Sequence, residues 1–266
     1  MFTPGDVINS TPRDVKLDKG KHWRARLGFI LMSTDLACES DLFAMAPEGV
    51  AINITRLKTE DYTSNETLAR HIDGMADAAS RIQPDTSPDL ICYSCTSGSI
   101  VNGEDRVMAE IRKGAPNSQP MTLVTGVVDA LHELEVKKLV VGTPYLDEIN
   151  MLEAEFLHAK GFDVLDIQGL KLEDGTSFGR ITPAYLKEFA LSIDQPDADA
   201  IFLSCGGIRS LDVAEEIEQA TGKPVITSNQ GMMWSCLRRA GIEDQLKGFG
   251  QIFSKPGKSL TRLSAG

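Results

Sequence analysis

Two cysteines close two similar stretches of this 266-residue chain. The first stretch reads Asp89-Leu-Ile-Cys-Tyr-Ser-Cys95-Thr-Ser-Gly-Ser, the second Ala200-Ile-Phe-Leu-Ser-Cys205-Gly-Gly-Ile-Arg-Ser. Each is a short apolar run, then Ser-Cys, then small residues. A strand passing into a helix has this pattern, and open α/β sheets carry their chemistry at such junctions. A helix N-terminus offers free amides and a partial positive charge, so a thiol there is expected to have a lowered pKa, and the amides to receive an anion. Two thiols on opposite sides of a Cα–H group can exchange its proton, one removing it and the other returning it. A thiolate can instead add to an activated double bond. Thr96, Ser97 and Ser99 supply hydroxyl donors after the first thiol. Gly206 and Gly207 let the backbone approach a ligand after the second.

The elements that must position these residues are legible as alternating strands and helices. Strands are expected from Arg26, over 50–56, 89–94, 121–124, 138–143, 163–167, 200–204 and 224–228. Helices are expected over 65–82, 104–112, 126–134, 152–160, 183–193, 211–220 and 231–240. The alternation predicts an α/β fold with parallel sheets and helices on both faces. The order also repeats. Cys205 lies 110 positions after Cys95, and Tyr145, in Thr143-Pro-Tyr145, lies 110 after Asp35, in Ser33-Thr-Asp35. A repeat of that length predicts two pseudo-symmetric Rossmann-like lobes that bring the four strand ends to one cleft. The expected division is an N-terminal arm over 1–23, a first lobe of 24–125 plus 241–266, and a second lobe of 126–240.

Composition narrows the function. The net charge of −11 argues against a nucleic-acid partner or an anionic membrane surface. No apolar run reaches the ~18 residues of a membrane span, and the N-terminus lacks the charged and apolar regions of a secretory signal. Five cysteines, an odd number, read as reduced thiols of a cytoplasmic protein rather than a disulfide framework. Cys38, Cys92 and Cys236 read as core thiols. Cys92-x-x-Cys95 has metal-like spacing, but no second pair or nearby histidine joins it. His71, His132 and His158 are expected on the surface or at an interface. Arg209 is expected to pair with Asp212, and Asn229 and Gln230 to cap a helix or line the cleft. No phosphate-binding glycine loop appears.

These motifs resemble the aspartate/glutamate racemase superfamily, in its maleate isomerase and arylmalonate decarboxylase branch, and are similar to members found with ectoine-utilisation genes. The resemblance covers about residues 26–250. Tyr93-Ser-Cys95-Thr-Ser-Gly-Ser is similar to the first-cysteine motif of maleate isomerases, and Leu203-Ser-Cys205-Gly-Gly-Ile-x-Ser-Leu-Asp to the cysteine motif of arylmalonate decarboxylases. Gly142-Thr-Pro-Tyr145 resembles the segment of the substrate-binding tyrosine in both. The resemblance implies a cofactor-free site between two lobes, often in a homodimer, with Cys95 and Cys205 as catalytic residues of an isomerase or racemase. It implies that Thr96, Ser97 and Tyr145 hold a carboxylate of a small substrate, with backbone amides at Cys205 and Gly206, as an oxyanion hole. A decarboxylase using Cys205 as proton donor is the alternative within enzymes, and a carboxylate-binding protein without turnover the alternative outside them. Three departures bear on the substrate. Maleate isomerases have asparagine where this chain has Asp35, and an ionised aspartate cannot donate to a carboxylate. Arylmalonate decarboxylases have glycine where Cys95 stands. The histidine that glutamate racemases place after their second cysteine is absent.

Overall fold

A computed structural model describes residues 10–18, 20–83, 87–257 and 260. Its first half forms one parallel sheet of β1 (Ala25–Met32), β2 (Val50–Leu57), β3 (Leu90–Tyr93) and β4 (Gln119–Thr122), in the order β2-β1-β3-β4. Helices α1 (Cys38–Ala44), α2 (Asn65–Ala69), α3 (Met75–Ser80), α4 (Thr96–Asn102), α5 (Glu104–Gly114) and α6 (Leu123–Glu133) connect and flank these strands. The second half repeats the plan. Strands β5 (Lys138–Thr143), β6 (Asp163–Gly169), β7 (Ala200–Leu203) and β8 (Val225–Thr227) are ordered β6-β5-β7-β8. Their helices are α7 (Asp147–Ala159), α8 (Gly175–Phe178), α9 (Pro183–Ile193), α10 (Ala214–Thr221) and α11 (Ser228–Arg239). Every strand pairing is parallel. The two central strands with the thiols, β3 and β7, are buried along their whole length, which is why they read as unbroken apolar runs.

In each sheet the chain runs outward one way from the first strand and the other way from the third. The switch points therefore fall between β1 and β3 and between β5 and β7, and such points open a crevice outside the carboxyl ends of the strands. Asp35 and Cys95 follow the strands of the first crevice, Tyr145 and Cys205 those of the second.

One apolar core crosses the lobes, holding Phe29, Leu31 and Met121 of the first together with Leu139, Val141 and Phe202 of the second. Helices α6 and α11 meet inside it. A Cβ on Gly126 would stand 2.6 Å from the Cα of Met232, so this crossing requires glycine. The expected lobe boundary at 125/126 falls inside α6, which begins at Leu123 because the Thr122 hydroxyl accepts from the Thr125 amide. The C-terminal segment touches both halves. Asp244 pairs with Arg24, while the Gln251 amide donates to Glu218 of α10. The buried Arg238 guanidinium fastens that segment by donating to the carbonyls of Ile242, Asp244, Phe253 and Lys255. Of the arm over 1–23, residues 10–18 and 20–23 are exposed and without helix or strand, and residues 1–9 lie outside the described residues.

The expected helix over 65–82 is three pieces, α2, a 3-10 turn over Arg70–Gly74, and α3. Helix α7 starts at Asp147, five residues before the expected 152. Two loops then cross between the lobes. Tyr62 pairs with Asp174 in an antiparallel bridge, the Thr63 amide donates to Glu173 O at 2.7 Å, and the Gly175 amide donates to Asp61 O at 2.8 Å.

Candidate active site

All eight residues singled out in the sequence line one pocket at the meeting of the two crevices: Asp35, Cys95, Thr96, Ser97, Tyr145, Cys205, Gly206 and Gly207. It encloses about 530 Å³ of empty space, counting its open mouth. The crossing loops form its outer wall with Thr59, Glu60, Tyr62 and Phe178. Among the described residues no lysine or arginine lines it.

Cys95 is extended at φ −136° and serves as the N-cap of α4. Its sulfur accepts from the Gly98 amide at 3.3 Å and lies 3.7 Å from the Ser97 hydroxyl. Cys205 is held by a different device. Its φ of +134° is a conformation that side-chain-bearing residues rarely adopt. Its sulfur accepts from the Gly207 amide at 3.3 Å, and the buried Tyr145 hydroxyl is near enough to favour its thiolate. Strain at a pocket thiol is a mark of a functional position.

The thiols are not the low-pKa groups expected from the sequence. Burial pushes Cys95 above its ordinary value, against the Gly98 amide and the Ser97 and Tyr93 hydroxyls, which favour the thiolate. Burial pushes Cys205 up to about 12, against Tyr145 and the Gly207 amide. Desolvation outweighs these donors, which stand at a helix N-terminus for Cys95 but in a turn for Cys205, whose following α-helix begins only at Ala214. Of the two, Cys205 is the deeper, only 6% exposed, and Cys95 is half-buried with the larger donor set.

A second expectation needs amending. The Cys205 amide is not free for a ligand, since it donates to the Ser228 hydroxyl at 2.9 Å. That hydroxyl is also 2.9 Å from the Thr96 hydroxyl, so Ser228 ties the two cysteine loops together across the lobes. The Gly206, Thr96 and Ser97 amides have no acceptor among the described residues. Ser228 went unrecognised in the sequence. The expected strand over 224–228 included it, whereas β8 ends at Thr227 and leaves Ser228 at a strand end equivalent to those that carry the thiols.

Asp35 is 8% exposed and uses one oxygen, Oδ1, to accept the Ala37 and Cys38 amides at 3.0 and 2.8 Å, capping α1. Burial raises its carboxyl to about 6 despite those bonds. Tyr145 is buried edge-on against Phe178 at 5.9 Å. Asn229 does not line the pocket; its amide donates to Asp41 and to Gly206 O, both at 2.8 Å, and steadies the glycine loop. Gln230 completes a capping box with Thr227. Arg209 pairs with Asp212 at 3.4 Å. Cys38, Cys92 and Cys236 are core thiols. His132 and His158 are exposed, but His71 is not: it is 7% exposed and lines the pocket, because the 3-10 turn after α2 rotates it inward.

Duplicated parallel sheets with paired thiols at matching switch points define a two-thiol α/β fold. The chain belongs to the arylmalonate decarboxylase family, whose model matches residues 42–253. It is 24% identical to a maleate isomerase of Pseudomonas putida over 86% of this chain and 97% of that protein. It is 27% identical to an arylmalonate decarboxylase of Bordetella bronchiseptica over 69% of this chain and 78% of that protein. Among solved structures it resembles a Nocardia farcinica maleate cis-trans isomerase, a cysteine-to-serine mutant with a covalently bound succinylcysteine intermediate. That likeness has a TM-score of 0.80 at 24% identity, covering 86% of this chain and 98% of that one. Among the described residues no helix is long and apolar enough to cross a membrane.

Proposed function

We propose that the protein is a cofactor-independent isomerase or racemase of a small carboxylate that also carries an N–H group. The observation that carries this reading is the pair of thiols, Cys95 and Cys205, at equivalent strand ends facing one pocket. Cys95, with more donors for its anion, takes the proton from the substrate carbon or adds to it. Cys205, held protonated, delivers a proton from the other side. The carboxylate sits on the unpaired Thr96, Ser97 and Gly206 amides, with the Ser97 and Tyr145 hydroxyls stabilising charge as it develops. Asp35 accepts from the substrate nitrogen. The absence of any cation from the wall among the described residues disfavours a dianion such as maleate. The succinylcysteine in the Nocardia farcinica relative supports covalent addition as the alternative to proton exchange.

The test is proton–deuterium exchange at the α-carbon in deuterated water, run over amino acids, N-acyl amino acids and small dicarboxylates. Exchange with one of the nitrogen-bearing acids, abolished by Cys95→Ser and by Cys205→Ser, is expected. A decarboxylase using Cys205 alone is the second reading, favoured by the family match and the protonated thiol. Release of carbon dioxide from a malonate that survives Cys95→Ser would replace the first reading by the second. Ligand binding with neither reaction would leave a binding protein. The resemblance also makes a homodimer the expected assembly, which sedimentation reads directly.

A further inference from the structure

Beside Cys95 lies a chain of polar groups that the proposed reaction does not yet use. Tyr93 is fully buried in β3, and its hydroxyl stands beside the Cys95 sulfur, where it favours the thiolate. That hydroxyl is also 2.6 Å from Nδ1 of His71. Space for it exists only because residue 98 is glycine: a Cβ there would stand 2.1 Å from the Tyr93 oxygen and 3.1 Å from the Cys95 sulfur. His71 in turn is a wall shared by two spaces. On one side it lines the pocket. On the other it lines an open surface groove with Lys58, Thr59, Glu60, Thr67 and Arg70. The half-buried thiol thus has, besides the pocket mouth, a second route to solvent through two side chains.

We propose that Tyr93 and His71 form a reversible hydrogen-bond wire that carries the Cys95 proton to the surface groove and sets how readily this thiol ionises. In the thiol form, Cys95 S–H donates to the Tyr93 oxygen and Tyr93 O–H donates to Nδ1, with the imidazole proton on Nε2. Ionisation moves the thiol proton to Tyr93, the Tyr93 proton to Nδ1, and the Nε2 proton to water in the groove. The sulfur keeps the S–H electron pair as a thiolate, one proton leaves, and every donor now points toward the sulfur. Throughout, the imidazole stays neutral and only changes tautomer. That agrees with burial, which lowers the His71 pKa to about 4 and disfavours an imidazolium, although Glu60 opposes the shift. The charged or titratable groups around the wire are Asp35 and Cys205 on the pocket side and Lys58, Glu60 and Arg70 on the groove side, with Glu60 and Arg70 paired at 2.7 Å. His71 is a positioning residue in this scheme, acting on the sulfur through Tyr93. The proposal deepens the role given above to Cys95.

The test needs no substrate, so its failure is separate from failure of the exchange assay. The rate of Cys95 alkylation by iodoacetamide is followed against pH, with the modified peptide identified by mass. Tyr93→Phe removes one oxygen, and His71→Leu removes the tautomeric group; each is expected to slow Cys95 alkylation about tenfold at pH 8 and move its profile up by about one pH unit. His71→Asn, whose amide can donate or accept near the position of Nδ1, is expected to restore the profile to within about twofold. Packing alone would leave all three profiles alike. A wild-type profile in either Tyr93→Phe or His71→Leu overturns the proposal, as does His71→Asn behaving like His71→Leu.

Discussion

Asp35 divides its two oxygens between the fold and the pocket: Oδ1 holds the first turn of α1, and the carboxyl lines the cleft. With its carboxyl at about 6, it is a charged acceptor at pH 7.5 and loses that role as pH falls below 6. Exchange on a nitrogen-bearing acid is therefore expected to decline between pH 7 and 5. Asp35→Asn should reduce that exchange at least tenfold at pH 7.5 and lower the KM of any dicarboxylate, both read from initial rates. Glu153 behaves differently because it serves no ligand. It faces Ser204, yet neither carboxyl oxygen closes a hydrogen bond of ordinary geometry, and burial raises it to about 7. Between its ordinary value near 4.5 and 7, the folded state holds a proton that the unfolded chain has released, so stability falls as pH rises through that window. Glu153→Gln stays neutral and should be more stable than wild type at pH 8, by on the order of 3 kcal/mol, with little difference at pH 4.5. Denaturant unfolding at the two pH values checks this. Cys205 carries strain instead of charge. Cys205→Gly should release about 1–3 kcal/mol and raise the melting temperature while abolishing exchange, whereas Cys205→Ala should leave the strain in place.

At the scale of elements, Gly98 shows what the small residues after the first thiol are for. Gly98→Ala should displace the Tyr93 hydroxyl, cost about 1–3 kcal/mol of stability, and slow Cys95 alkylation, measured by thermal unfolding and by mass. The glycine was visible in the sequence as a small residue beside a thiol, but its reason was not, because the atom it avoids comes from β3 beneath it. The same distinction runs through the fold. Strands β1, β3, β5 and β7 were legible as apolar runs bounded by polar ends, and the 110-residue echo placed their ends together. Helix α4 was expected only as the helix start that follows Cys95; its extent went unread because Thr-Ser-Gly-Ser-Ile-Val-Asn is buried on nearly every side and shows no polar face to mark a period. The expected helix over 65–82 leaves α geometry over Arg70–Gly74, a 3-10 turn in which His71 is buried, and Gly74 at its end packs where a Cβ would stand 2.7 Å from the Leu57 side chain. The outer wall from Thr59 to Phe178 was illegible for another reason. Its residues acquire a role only when a loop of one lobe pairs with a loop of the other, and nothing local marks that pairing.

For the whole molecule, the ties that join the lobes include the α6–α11 crossing, the Ser228 tie between the cysteine loops, and the loop pair over the mouth. The separation of the thiols is thereby built into the resting fold. What reaches them is governed by charge. The chain carries −11 overall, and Arg70, a cation beside the mouth, is already paired with Glu60. An approaching dianion meets repulsion across the whole diffusion path, and a zwitterion meets almost none. Repulsion of this kind shortens with added salt, from about 30 Å at 10 mM to about 10 Å at 100 mM. The value of kcat/KM for a dicarboxylate should therefore climb several-fold over that range, while that for an amino acid stays level, so ionic strength alone would separate the two substrate classes at the stage of encounter, before any bond is made.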